Sequence, residues 1–140
     1  MIERIAIIGS REFGSRGADE EAHEAVRAYV SRLPPSVIVI SGGARGVDEW
    51  AVNAAAHRGL IRIIVMPAWV RADGTRDMTA GFHRNSVIAD LCDRMVAFRR
   101  AGGSRGTDHA IRCAQRRGKT VEVVERRVGD PRGSAWDVRR

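Results

Sequence analysis

The residues best suited to chemistry lie in two glycine-rich stretches, Ser41-Gly42-Gly43-Ala44-Arg45-Gly46-Val47-Asp48 and Gly102-Gly103-Ser104-Arg105-Gly106-Thr107. Each follows a short apolar run, residues 37–40 in one case and 95–98 in the other. Each opens onto a stretch with helical spacing, residues 47–58 and 108–117. A strand, a tight glycine turn and a helix start leave backbone N–H groups without intrahelical partners, and these point at any anion that approaches. One such loop is ordinary punctuation in an α/β chain. Two on the carboxyl edge of one parallel sheet face a common crevice, and a phosphate fits there.

Further candidates fall on the same edge. Gly9, Ser10 and Arg11 end the first apolar run, where a hydroxyl and a guanidinium meet phosphate or simply form a solvated loop. Trp69, after the third apolar run and Pro67-Ala68, stacks on a ring or packs against its neighbours. Arg84, in Ala80-Gly81-Phe82-His83-Arg84-Asn85, shares the inward face of a helix with Val87 and Ile88 near its positive end. It takes an anion there, or pairs with Asp90 or Asp93. Asp48 and Asp108 each sit in a first helical turn, where a carboxylate caps N–H groups or, alternatively, does acid–base work.

The elements that must position these residues alternate along the chain. Apolar-rich runs at residues 5–8, 37–40, 61–66, 95–98 and 120–124 read as strands, the first of them covered on both faces, with helical patterns between them over 18–33, 47–58, 80–91 and 108–117. Pro34-Pro35, Gly59 and Gly118 stop the helices they follow. The polar stretch 70–79 reads as a flap. This is an α/β chain with a three-layer Rossmann-like fold and a mainly parallel sheet of about five strands. Residues 1–124 make one domain, and 125–140, rich in arginine with Gly129, Pro131 and Gly133, read as a basic, flexible tail in which Trp136 docks locally.

Composition narrows the functions. The net charge of +7 comes almost wholly from arginine, which suits fork-shaped recognition of phosphate and polyanions. Arginine enrichment of this kind also arises from base composition of a genome. Cys92 and Cys113 lack metal-type spacing and read as reduced core residues of a cytoplasmic protein. The four histidines have no zinc-type pairing, so neither a metal nor a cofactor is expected. The apolar stretch near the N-terminus is too short for a membrane span. Gly118-Lys119-Thr120 enters a strand instead of opening a helix, and is no P-loop.

Taken as a set, Ile8-Gly9-Ser10-Arg11, the 41–48 loop, Pro67-Ala68-Trp69, the 80–85 segment and the 102–107 loop resemble the YspA-like branch of the SLOG superfamily. That superfamily is similar in fold to the LOG phosphoribohydrolases and to the Smf/DprA DNA-processing proteins. The likeness covers nearly all of residues 4–124. It implies a nucleotide or nucleotide-derived ligand, with Gly9, Ser10, Gly42, Gly43, Arg84, Asn85, Gly103, Gly106 and Thr107 lining its pocket, and homodimers. In the LOG enzymes a glutamate after the second loop forms the catalytic pair with an arginine. Here Ala110 stands at that position and Ala101 replaces the loop's proline.

A sensor or capture module for a nucleotide derivative is therefore the leading expectation. Cleavage of an N-glycosidic bond, with Arg84 and either Asp48 or Asp108, is the alternative. Single-strand DNA binding of the Smf/DprA type is the second alternative, favoured by charge and by the 41–48 loop, and disfavoured by the scarcity of aromatics for stacking bases.

Overall fold

The computed structural model describes residues 2–126 and 136–139. The first strand, β1 (Arg4–Gly9), is buried on both faces as its apolar run requires. Helix α1 (Arg16–Ser31) starts where the Ser15 side chain accepts the Ala18 N–H at 3.2 Å. It buries Ala18, Ala22, Val26 and Val30, one residue per turn, and ends before Pro34. The chain continues through β2 (Ile38–Ser41), α2 (Val47–His57), β3 (Ile61–Ile64), α3 (Ala80–Leu91), β4 (Arg94–Arg99), α4 (Arg105–Arg116) and β5 (Thr120–Arg126).

A sixth strand, β6 (Trp136–Arg139), lies in the region expected to be a tail. It pairs antiparallel with β5, Val124 opposite Val138. Trp136 meets Phe13 and Phe98 edge-on at 5.8 and 6.5 Å, so its local docking is to the core itself. The remainder of the expected tail, residues 127–135 and Arg140, lies outside the described residues.

The sheet order is β3-β2-β1-β4-β5-β6, with every pairing parallel except the last. Helices α1 and α2 cover one face, where Val26, Val30, Val47 and Ala51 pack on Ile5, Ile7 and Val39. Helices α3 and α4 cover the other, where Ile88, Ala89, Ala110 and Ala114 pack on Ala6, Ile8, Ile40 and Met95. This is the three-layer, mainly parallel α/β architecture, with six strands where about five were expected.

The chain winds outward from β1 to β3, then crosses back through α3 to place β4 on the other side of β1. Between the carboxyl ends of β1 and β4 the direction of winding reverses, and loops there diverge to leave a crevice. At the far edge β3 has no second strand partner among the described residues, and Ile61 is 64 % exposed.

Candidate functional site

The loops after β1, β2 and β4 converge on this switch point and are tied to one another through Ser10. Its N–H donates to the Phe98 carbonyl at 3.0 Å, its carbonyl accepts from Val47 N–H at 3.3 Å, and its hydroxyl accepts from Arg100 N–H at 3.1 Å. Gly46, at φ 82°, is the N-cap of α2, and a Cβ there would lie 2.5 Å from the Arg11 carbonyl oxygen. Only glycine supplies both the left-handed backbone and the close approach of two main chains.

Between these loops lies a cavity of about 360 Å³. Arg11, Asp48, Arg84, Asn85, Ser104 and Thr107 supply most of its polar groups. A smaller cavity of about 200 Å³ adjoins it, with Gly43, Met66, Pro67 and Trp69 along its wall. The two share Arg11, Ala44, Arg45 and Arg84. One region is thus polar and the next carries an indole, with guanidinium groups common to both. Arg76, in the 70–79 segment, lies over the Trp69 ring at 5.3 Å, and that segment turns back on itself through an antiparallel bridge between Val70 and Arg76.

Asp48 is only 5 % exposed. Burial pushes its carboxyl up to about 6, against the opposing pull of Arg84 and of the Ala44, Gly9 and Gly42 amides that face it. Burial likewise holds Arg84 below the usual arginine range, opposed by Asp48. Arg84 Nη1 donates to the Gly42 carbonyl at 2.8 Å and its Nε donates to Asn85 Oδ1 at 3.1 Å. Asn85 in turn donates to the Gly106 carbonyl at 3.3 Å, so α3 and the start of α4 are joined through one amide. The aspartates that offered Arg84 a salt bridge are engaged elsewhere, Asp90 with Arg117 and Asp93 with Arg4.

Of the residues singled out in the sequence, the larger cavity brings together Gly9, Ser10, Arg11, Arg45, Asp48, Arg84, Asn85, Ser104, Gly106 and Thr107. Gly43 and Trp69 face the smaller one. Ser41, Gly42, Gly46, Gly102 and Gly103 line neither. The Ser41 hydroxyl donates to the Ile7 carbonyl at 2.6 Å, and Gly103 lies against Arg99 and Asp108. Asp108 also lies outside the cavity, its carboxylate 2.7 Å from Arg99 Nε. Glu12 and Arg100 line the cavity without having been singled out. Arg100 directly follows β4 at the carboxyl edge, and that position alone could have marked it.

Comparison with known proteins bears on this geometry. The model of the DNA recombination-mediator protein A family matches residues 1–80. Gene 61 protein of Mycobacterium phage D29 is 34 % identical over 125 residues, covering 86 % of this chain and 94 % of that protein. DNA processing protein A from Helicobacter pylori, whose structure describes its single-stranded DNA binding mode, superposes with a TM-score of 0.67 at 19 % identity over 91 % of this chain and 67 % of that one. DNA processing protein A from Streptococcus pneumoniae gives 0.65 at 18 % identity over 87 % of this chain, which spans only 50 % of that one. These structural likenesses are of fold, while the family match and the phage relative carry kinship: the chain belongs to the DNA recombination-mediator protein A family.

Proposed function

We propose that this protein binds single-stranded DNA across the carboxyl edge of its sheet. The observation that carries the reading is the pair of adjoining cavities that share Arg11, Arg45 and Arg84. A strand needs cations for its backbone and a flat apolar surface for a base, and the arginines with Trp69 supply both. The single-stranded DNA binding of the H. pylori protein, which has the same fold, supports the assignment. The scarcity of aromatics then limits stacking to few bases and leaves most of the affinity to phosphate contacts.

Fluorescence anisotropy of a labelled oligothymidylate, titrated at several salt concentrations, tests it. Binding that weakens steeply with salt, and that Arg45→Ala lessens, is the expected result. No binding at low salt would refute it.

A nucleotide or nucleotide-derived ligand in the same loops is the second reading, favoured by a cavity of about 360 Å³ that suits a small molecule. In either case we place the chain in the YspA-like branch on its motif set. Homodimerisation, implied by that resemblance, has an available surface in the free edge of β3 with its exposed Ile61 and Ile64. Sedimentation velocity decides the oligomeric state.

A further inference from the structure

The geometry points to a phosphate monoester, at the end of a DNA strand or on a free nucleotide, as the group that the larger cavity takes in preference to the diester of a strand interior. The strand-end source rests on the DNA-binding reading above. Two observations carry the inference, one of charge and one of hydrogen bonding.

The charge around the cavity does not balance. Arg11, Arg45, Arg84 and Arg100 line it against the carboxylates Glu12 and Asp48. Glu12 is taken by Arg100, at 4.0 Å. Asp48 faces Arg84 across Gly42. Arg11 and Arg45 are exposed and form no ion pair with any described residue. Four cations less two anions leave a surplus of two. A monoester carries roughly two negative charges at neutral pH, whereas each diester of a strand carries a single one.

The hydrogen bonding is also incomplete. Ser104, the N-cap of α4, makes no side-chain cap bond, so the N–H groups of Arg105, Gly106 and Thr107 have no acceptor among the described residues. The Ser104 hydroxyl donates instead to Thr107 Oγ1, at 2.8 Å. Ser10 Oγ lies 3.4 Å from Ser104 Oγ. Because the Ser104 proton is already committed, the Ser10 hydroxyl is the donor in that contact. The chain of hydroxyls therefore runs one way, from Ser10 through Ser104 to Thr107. It ends on a Thr107 O–H that has no acceptor among the described residues, on a side chain 5 % exposed that lines the cavity. The Thr107 hydroxyl accepts from Ser104 and keeps its own proton for an anion oxygen in the cavity. Gly106 and Thr107 at the start of α4 and the four arginines all line the one cavity, so amide, hydroxyl and guanidinium donors are available to three terminal oxygens.

The test compares one short oligothymidylate bearing a 5′-phosphate, a 3′-phosphate or hydroxyls at both ends, together with thymidine monophosphate and thymidine, for the full chain at fixed salt. A terminal phosphate should tighten strand binding about tenfold or more, and the monophosphate should compete where thymidine does not. That gain should fall below about threefold in Thr107→Val and in the double variant Arg11→Ala/Arg45→Ala, whose exposed positions leave folding unaffected. Binding of the monophosphate alone would keep the inference, assign the site to free nucleotides and refute the DNA reading. Equal affinity for all three strands, without competition by the monophosphate, would overturn the inference and leave the DNA reading standing. Binding of none of them would overturn both.

Discussion

Asp48 and Arg84 face each other over Gly42 without forming an ion pair. A Cβ on Gly42 would lie 2.7 Å from both Arg84 Nη1 and Asp48 Oδ2, so the missing side chain is what lets the two groups share the loop. Gly42→Ala should displace one or both and weaken ligand binding, with the change visible as a lower melting temperature as well. Gly106→Val differs, because a Cβ there meets nothing within 4 Å. It should leave the helix content intact and still block the approach to the α4 amides, and circular dichroism beside a binding titration separates the two effects.

The buried carboxyl of Asp48 has a consequence for stability. Its acidity moves from 3.8 to about 6 on folding, so the folded state holds its proton more tightly than the unfolded state. Stability from this group is therefore greatest at low pH and is lost as pH rises from about 4 to about 6, by on the order of 2–3 kcal/mol. Asp48→Asn should remove that slope. Urea unfolding of both proteins across this range checks it, the difference between them cancelling the opposite contributions of Asp73, Asp77 and Asp93, whose acidities are held below the usual range. An identical slope in the variant would contradict the assignment.

Asp108 is expected to behave as a structural anion. Its carboxylate and that of Glu125 flank Arg99, tying the start of α4 to β4 and β5. Asp108→Asn should cost about 1 kcal/mol or less, since the pair is partly exposed, and should leave ligand affinity unchanged. An altered affinity measured by calorimetry would move Asp108 back into the site.

Trp69 should act through the base of a bound strand. Its removal in Trp69→Ala is expected to weaken oligothymidylate binding by about 1–3 kcal/mol, the scale of one stacked base. Inorganic phosphate binding should be unaffected in the same variant, because phosphate needs no stacking surface. Loss of both would mean that Trp69 holds the flap instead of the base.

Much of this was legible in the sequence, and the reasons differ by element. Strands covered on both faces, such as Ile5-Ala6-Ile7-Ile8, leave continuous apolar runs, and the turn glycines Gly43 and Gly46 mark backbone that other residues avoid. Strand β6 left no such trace. It spans four residues, two of them charged, and its place depends on Trp136 meeting Phe13 and Phe98, which are distant in sequence. Among the site residues, Ser10 and Arg84 were marked by position on an element. Arg100 follows β4 at the carboxyl edge, a position that could have marked it, whereas Glu12 enters the cavity because two loops meet there, which no local pattern encodes. Gly102 and Gly103 mark a turn by their positive φ, and the residues of that loop that line the cavity are Ser104, Gly106 and Thr107, since a turn and a binding surface select glycine alike.

The central claim is that DNA lies on the switch-point loops. Amide chemical shifts of the full chain, followed by NMR as an unlabelled oligothymidylate is added, test it most directly. The account predicts that the largest shifts fall on Ser10, Arg11, Ala44, Arg45, Gly106 and Thr107, with Trp69 following. Shifts concentrated instead along the outer groove of α1 and α2, around His23, Trp50 and His57, would contradict it.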